Sequence, residues 1–323
     1  MKNPIWILVI ITLKKSNSYF INLYYSLINF IDSTVEKIPL KQKSTNLCKN
    51  VEISKNGNIT NEFSFLMNYI DFDQGHYMYL NKGNEIKDRY GDIKSYNHNL
   101  ITINGGRGYI NASPINIINN KYFITTQGPK EETIDDFWTM IWENNCRAIV
   151  MLCNQMEGGR PKCERYWDPK LCKQAKIERL KNDDRKDYVI RKIKLYNNNQ
   201  ERVVYQIHYI AWPDHGVPDI RDKKVFDVFD EIIELIDRPA VKLNGPIVVH
   251  CSAGVGRTGT FISMYFLKKE IIKQIENKVS EIKFSVFNLV RKLKEMRLYL
   301  VQTESQYRFI YEYVKYLLDK YNV

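Results

Sequence analysis

Several patterns that would place the chain in a large protein class are missing. The early apolar run from Ile5 to Leu13 is shorter than the ~20 residues that a bilayer-spanning helix needs. The 6 cysteines, at positions 48, 146, 153, 163, 172 and 251, have no C-x-x-C or other metal-binding spacing. There is no internal repeat, zinc-finger or basic-zipper pattern, or arginine-rich arm. These absences argue against a membrane span at this run, a zinc site and the common nucleic-acid-reading modules.

The composition is that of a globular protein. Of the 323 residues, 44% are hydrophobic and 26% are charged. The net charge of +11 would suit nucleic acid, an acidic membrane surface or an acidic peptide. Because the lysines and arginines are spread along the chain, we expect a solvated basic surface that attracts phosphoproteins, and no nucleic-acid partner.

The N-terminal region permits three interpretations. Its apolar run and a second apolar and aromatic stretch from Tyr19 to Ile31 could be a membrane-surface anchor, a signal segment or helices packed on the domain. From Lys37 to Thr60 the sequence is polar and contains Pro39 and Gly57, which is typical of a linker. The pattern predicts an N-terminal extension over residues 1–57 and one domain over residues 58–323.

The stretch from Val249 to Gly259 joins a strand to a helix. The β-branched run Pro246–Val249 predicts a buried strand. Apolar residues at helical spacing follow it, namely Phe261, Met264, Tyr265, Leu267 and Ile271. Three of the five residues between Cys251 and Arg257 are Gly or Ala, which lets successive backbone N–H groups curl toward one point. The stretch therefore predicts an anion cradle at a helix N-terminus, closed by the guanidinium of Arg257.

A cysteine at the mouth of such a cradle has a physical reason to ionise. Inward N–H dipoles, the helix N-terminus and a guanidinium all favour the thiolate of Cys251, which is the nucleophilic form. Either Thr258 or Ser252 can donate a hydrogen bond that steadies this thiolate when it leaves. The alternative is a buried structural cysteine beside a glycine turn.

These residues resemble the tyrosine-specific branch of the cysteine-dependent protein tyrosine phosphatases. The resemblance covers roughly residues 60–320 and includes Lys87–Ile93, the Trp212-Pro213-Asp214 loop and the Q-T-x-x-Q segment that begins at Gln302. It implies an α/β fold, with a highly twisted mixed β-sheet flanked by helices and the cradle between a strand and a helix. The Asn-, Ile-, Lys- and Tyr-rich composition also resembles the phosphatases encoded by wasp-associated polydnaviruses.

The resemblance implies a role for each candidate residue. Cys251 would attack phosphorus, while Asp214 would act as general acid and base. The phosphate would lie against Arg257 and the cradle residues Ser252, Ala253, Gly254, Val255 and Gly256. Tyr90 would stack on the phosphotyrosine ring and Asp92 would accept hydrogen bonds from the substrate backbone. Gln302 would place the hydrolytic water with support from Gln306, and Glu157, Lys162 and His250 would support the site.

Each role has a plainer alternative. Asp214 could be a turn former, Tyr90 a core residue, Glu157 and Lys162 part of a solvated hairpin, and the two glutamines caps of the last helix. The sequence departs from the family pattern at Asp88 and Gly91, which leaves the preferred substrate sequence open. It also departs at Gly108 and, with a local effect only, at the inserted Asp168.

The expected activity is hydrolysis of phosphotyrosine in proteins, without metal or cofactor. A phosphotyrosine-binding module without turnover and a phosphatase for phosphoserine or phosphoinositides are the alternatives. A nucleophilic thiol favours a reducing compartment, so we expect a cytoplasmic protein whose N-terminal segment can touch a membrane surface. The sequence leaves the oligomeric state open.

Overall fold

A computed structural model describes residues 58–69, 83–117, 122–222, 224–238, 241 and 245–323. The expected N-terminal extension over residues 1–57 lies outside the described residues. Its three interpretations and the domain boundary before residue 58 therefore stay predictions. Within the described part of the chain, no helix is both long and apolar enough to cross a bilayer.

One mixed sheet of 7 strands carries the fold. In chain order the strands are β3 (Ala112–Asn116), β4 (Tyr122–Thr126), β5 (Ala148–Met151), β8 (Lys176–Asp184), β9 (Tyr188–Asn197), β10 (Gln200–Tyr209) and β11 (Ile247–His250). Their order across the sheet is β3-β4-β11-β5-β10-β9-β8, and every residue of the apolar inner strands β5 and β11 is buried. Two small antiparallel sheets pair β1 (Thr102–Ile103) with β2 (Gly108–Tyr109), and β6 (Met156–Glu157) with β7 (Arg160–Pro161).

The centre of the large sheet is parallel and its margins are antiparallel. Strands β4, β11, β5 and β10 run in one direction, whereas β3, β9 and β8 pair antiparallel with their neighbours. The carboxyl ends of parallel strands meet at one edge of a sheet. The segments that follow β11, β5 and β10 contain Cys251, Glu157 and Asp214 respectively, so all three leave the sheet at the same edge.

Six helices flank the sheet: α1 (Asn58–Tyr69), α2 (Ile134–Glu143), α3 (Lys224–Asp237), α4 (Gly256–Glu276), α5 (Val286–Met296) and α6 (Glu304–Tyr321), counted over the described ranges. Short 3₁₀ turns lie at Glu85–Lys87, Asn97–Asn99, Glu131–Thr133 and Pro169–Leu171. Apolar residues at helical spacing in the sequence predict helices at 61–70, 222–238 and 284–297. These correspond to α1, α3 and α5 within three residues at each end. Helix α4 begins at Gly256, directly after the cradle. This mixed, helix-flanked sheet is the α/β fold that the family resemblance implies.

Candidate active site

One cavity of about 410 Å³ opens at the edge of the sheet where the parallel strands end. Most of the residues that the sequence singles out line it: Tyr90, Asp92, Glu157, Lys162, Asp214, Cys251, Ser252, Ala253, Gly256, Arg257, Gln302 and Gln306. The remaining four, His250, Gly254, Val255 and Thr258, are buried in or beside the same loop. Segments far apart in sequence thus come together around Cys251.

The carbonyl groups of the cradle loop, residues 251–254, are all held by neighbouring groups. The oxygen of Cys251 lies 3.1 Å from His250 Nδ1, and that of Ser252 accepts from Gly128 N–H at 2.8 Å. The guanidinium of Arg297 donates to the oxygen of Ala253 at 3.3 Å and to that of Gly254 at 3.1 Å. In a trans peptide the next N–H points opposite to the carbonyl. The N–H groups of residues 252–255 are therefore turned to the cavity side, which is the arrangement of an anion nest.

Glycine is required where the cradle loop passes closest to its neighbours. Gly254 has φ +72°, and a Cβ there would lie only 2.1 Å from the carbonyl oxygen of Thr126. At Gly256 a Cβ would lie 2.8 Å from the side-chain amide nitrogen of Gln306. The loop can hold this shape only without a side chain at Gly254, whereas a Cβ at Gly256 would require the end of the Gln306 side chain to shift.

A carboxylate fixes the guanidinium of Arg257. Its Nη1 and Nη2 donate to the two oxygens of Glu157 at 2.6 and 2.8 Å, and Nη1 also donates to Leu152 O at 3.1 Å. Burial disfavours the cation, but the hydrogen bonds that Arg257 donates to Glu157 and the charges of Cys251 and Glu157 outweigh this effect, so the pKa of Arg257 is raised. The guanidinium of Arg257 therefore stays charged. Because both of its terminal nitrogens face Glu157, its Nε is turned away from that carboxylate.

Asp214 lies on a loop that touches both Arg257 and the β6–β7 turn. Arg257 Nη2 donates to Pro213 O at 3.1 Å, and the N–H of Gly158 donates to Asp214 Oδ2 at 2.6 Å. The buried indole of Trp212 anchors the loop by donating to Gly216 O at 3.2 Å. Two distant segments thus hold the carboxylate at the cavity.

Tyr90 and Ser252 form a hydrogen bond across the cavity wall. Tyr90 Oη lies 2.8 Å from Ser252 Oγ, which itself donates to Lys162 O at 3.0 Å. A serine hydroxyl has one hydrogen, so Tyr90 is the donor in this pair. Thr258 Oγ1, in contrast, is buried and has no hydrogen-bond partner in the described part of the chain. Ser252 already donates its hydrogen to Lys162 O, so Thr258 is the hydroxyl that remains able to donate a hydrogen bond to the Cys251 thiolate.

Asp88 and Arg89 tie the Tyr90 loop to the domain. The buried carboxylate of Asp88 accepts from Tyr109 Oη at 2.6 Å and from Asn111 Nδ2 at 2.9 Å. Arg89 Nε donates to Gly128 O at 3.0 Å. The departure from the family pattern at Asp88 therefore places a buried negative charge under the recognition loop.

The two glutamines are used differently. Oε1 of Gln306 accepts from the backbone N–H groups of Gln302 and Thr303 at 2.9 and 3.2 Å, within the capping box that starts α6. Gln306 therefore acts as a cap of α6, as the alternative interpretation of the sequence proposed. Its side chain also lies against Gly256 of the cradle. Gln302 is exposed and lines the cavity.

Sequence reasoning missed Arg297 and His215. Arg297 is fully buried and donates to Asn111 Oδ1 at 2.6 Å as well as to the cradle carbonyls. In the sequence it is only the last residue of a predicted helix, and no pattern there signals a contact 43 residues away. His215 lines the cavity next to Asp214, and only the structure places its side chain there.

Known proteins resemble the chain over this same region. The family model described as "Protein-tyrosine phosphatase" matches residues 84–316. The human tyrosine-protein phosphatase non-receptor type 12 is 38% identical over 72% of this chain and 30% of its own length. The rat non-receptor type 20 enzyme is 35% identical over 73% of this chain and 55% of its own length.

A solved structure matches as well. The crystal structure of the catalytic domain of human protein tyrosine phosphatase non-receptor type 18 has a TM-score of 0.70 and 30% identity, covering 81% of this chain and 96% of that one. The chain thus spans less than two thirds of the full-length curated relatives named above, but nearly all of this catalytic domain. On these matches the chain belongs to the protein-tyrosine phosphatase family.

Proposed function

We propose that this protein hydrolyses phosphotyrosine in proteins through a phosphocysteine intermediate on Cys251. The observation that carries the proposal is that one cavity contains a cysteine in an amide cradle, a guanidinium fixed by Glu157 and the carboxylate of Asp214. Family membership supports the reaction class. The assignment of individual roles rests on the geometry and on chemical reasoning.

In the first step the thiolate of Cys251 forms a bond to phosphorus as the bond from phosphorus to the phenolic oxygen breaks. Asp214 gives its proton to that oxygen, so the product leaves as neutral tyrosine. Because Gly158 engages Oδ2, we assign the transferred proton to Oδ1. The inward N–H groups of residues 252–255 and the Nε edge of Arg257 hold the equatorial oxygens, which is where phosphoryl transfer gains most of its rate.

In the second step water attacks the phosphocysteine. The carboxylate of Asp214 takes a proton from this water, inorganic phosphate leaves, and the Cys251 thiolate is restored. Gln302 is exposed and lines the cavity, and it is assigned to orient the water. The buried hydroxyl of Thr258 is assigned to the departing sulfur because it has no other partner in the described residues.

The pocket wall favours an aryl phosphate. The Tyr90 ring is held by its bond to Ser252 and can stack on a substrate ring, an interaction that adds about 1 kcal/mol beyond area burial. A phosphoserine side chain has no ring to use that wall. Phosphotyrosine is therefore preferred over phosphoserine and phosphoinositides.

The test uses the purified full chain and three substrates at equal concentration: a phosphotyrosine peptide, its phosphoserine counterpart and a phosphoinositide. We expect kcat/KM to be highest for the phosphotyrosine peptide, with release of one phosphate per turnover. Tight binding of that peptide without release of phosphate would instead identify a binding module. A higher rate on the phosphoinositide would contradict the substrate assignment.

The reducing environment that a thiolate requires supports a cytoplasmic location as a further proposal. Fractionation of cells that express the full chain, with N-terminal sequencing of the product, tests it. A mature protein recovered from the medium and starting after about residue 18 would contradict the location but not the chemistry.

A further inference from the structure

A chain of hydrogen bonds runs behind the cradle from a charged side chain on β9 to the backbone of the nucleophile. Nη1 of Arg191 donates to Gln206 Oε1 at 2.9 Å, and Gln206 Nε2 donates to Tyr166 Oη at 2.6 Å. Tyr166 Oη lies 2.8 Å from His250 Nε2, and His250 Nδ1 lies 3.1 Å from the carbonyl oxygen of Cys251. Tyr166, Gln206 and His250 are all buried.

The direction of every bond in this chain follows from which groups can donate. Arginine has only donors, so Gln206 must turn its oxygen to Arg191 and its NH₂ to Tyr166. The second hydrogen of that NH₂ points to the sulfur of Met151 at 3.6 Å. Tyr166 then accepts from Gln206 and gives its own hydrogen to His250 Nε2. The proton of His250 must lie on Nδ1, where it is donated to a carbonyl that can only accept.

A second branch starts from the same guanidinium. Nη1 of Arg191 lies 3.1 Å from His208 Nδ1, and His208 Nε2 lies 2.8 Å from the carbonyl oxygen of Cys153. The same donor argument puts the His208 proton on Nε2. Burial lowers the pKa of His208 to about 3 and that of His250 to about 4, so both rings are neutral at pH 7. The guanidinium of Arg191 and the two backbone carbonyls thus favour the same tautomer of each histidine.

The fold holds Arg191 firmly at the start of both branches. Arg191 lies opposite Gln206 in the register of the antiparallel β9–β10 pair. Its guanidinium also stacks on the ring of Trp167, with 4.4 Å from the central carbon to the ring centroid. A half-buried, stacked arginine loses little further freedom when it donates these bonds.

The far end of the chain acts on the cradle itself. The bond from His250 holds the Cys251 carbonyl away from the cavity, and the planar peptide then turns the N–H of Ser252 toward it. If the chain ran the other way, the lone pair of His250 Nδ1 would face that carbonyl oxygen and repel it. The first N–H donor of the anion nest thus depends on the direction of the chain, which Arg191 at one end and the Cys251 carbonyl at the other both favour.

We propose that Arg191 is a positioning residue that, together with the Cys251 carbonyl, stabilises the Nδ1-protonated tautomer of His250 and thereby orients the first amide of the phosphate cradle. The proposal rests on the proposed phosphatase reaction for its kinetic consequence. Its structural consequence, the tautomer, is independent of any activity.

The experiment labels the 5 histidines of the full chain with ¹⁵N and reads the tautomer of His250 by NMR at pH 7. The variants are Arg191→Met, which removes the donor, Arg191→Lys, which keeps a donor-only cation, and Gln206→Glu. The last variant cannot donate to Tyr166, so it forces the chain to run backward. Lys192→Met is the matched control, because its side chain lies on the other face of the same strand. Thermal unfolding establishes that each variant is folded.

We expect Nδ1 of His250 to carry the proton in the wild type, in Arg191→Lys and in Lys192→Met. In Arg191→Met and Gln206→Glu we expect proton occupancy at Nε2, and kcat lowered about fivefold with KM nearly unchanged, the size of one lost hydrogen bond. A wild-type His250 protonated on Nε2 would overturn the proposal, as would an unaltered His250 spectrum in both variants. A wild type with the expected tautomer and no phosphatase activity would contradict the proposed function and leave the hydrogen-bond chain supported.

Discussion

Nε of Arg297 lies 3.1 Å from the carbonyl oxygen of Gly254, on the outer side of a loop whose inner side faces the cavity. A buried cation thus holds the loop from behind while its amides are left for the phosphate. Burial lowers the pKa of Arg297 to about 10, and the nearby Tyr109, Cys251 and Asp88 oppose this shift. The guanidinium therefore stays charged at pH 7.

Replacing this guanidinium should loosen the cradle. Arg297→Lys keeps the charge but cannot reach two carbonyls at once, since only the arginine fork presents several donors in one plane. We expect the inhibition constant of orthovanadate to rise about tenfold and the free energy of unfolding to fall by about 1–3 kcal/mol. Arg308→Lys, on the surface of α6, is the control. Unaltered vanadate binding in Arg297→Lys would show that the carbonyl contacts do not orient the cradle.

Removal of the nucleophile should separate binding from turnover. Cys251→Ser replaces the thiolate with a neutral hydroxyl, so hydrolysis of para-nitrophenyl phosphate should vanish while phosphotyrosine peptides still bind. Cys172→Ser, at a half-buried position outside the cavity, should keep the wild-type rate. If Cys251→Ser retained near-wild-type hydrolysis, the covalent route would be wrong.

The effect of removing Asp214, the proposed general acid, on the rate should depend on the acidity of the leaving group. Asp214→Ala should slow release of a poor phenol leaving group by ~10²–10⁴, and less as the phenol becomes more acidic. The carboxylate of Asp219, which is paired with Arg221 nearby, provides the control variant Asp219→Ala. An alkaline limb of the pH–rate profile that persists in Asp214→Ala would assign the proton to another group.

Two substitutions distinguish the ring of Tyr90 from its hydroxyl. Tyr90→Ala removes both and should raise KM for phosphotyrosine peptides more than KM for small phosphates. Tyr90→Phe keeps the stacking ring and loses only the bond to Ser252, so its KM should stay within about fivefold of the wild type. Equal effects of Tyr90→Ala on peptides and small phosphates would make Tyr90 a structural residue.

Sequence patterns predicted the elements of the site better than the contacts between them. The strand–turn–helix at Cys251 and the helices α3 and α5 follow from local periodicity and short apolar runs, which need no tertiary information. The edge strand β8 was not predicted, because its residues are mostly exposed and charged and show no regular alternation.

The contacts that orient the cradle could not be predicted in this way. Arg297, Arg191 and Gln206 resemble ordinary surface polar residues in the sequence, and only the register of strands and the packing of helices bring them to the loop. The roles of Asp214 and Gln302 came from a resemblance, since a single aspartate or glutamine in a turn has no distinguishing local pattern.

The parallel centre of the sheet also determines at what stage of folding the active site is assembled. Cys251, Glu157 and Asp214 follow three different parallel strands, while Tyr90 and Gln302 come from loops more than 200 residues apart. No fragment shorter than residues 90–302 therefore contains the site, and folds dominated by contacts of such long sequence separation form slowly. Regain of catalysis after denaturation would therefore report assembly of the parallel centre of the sheet.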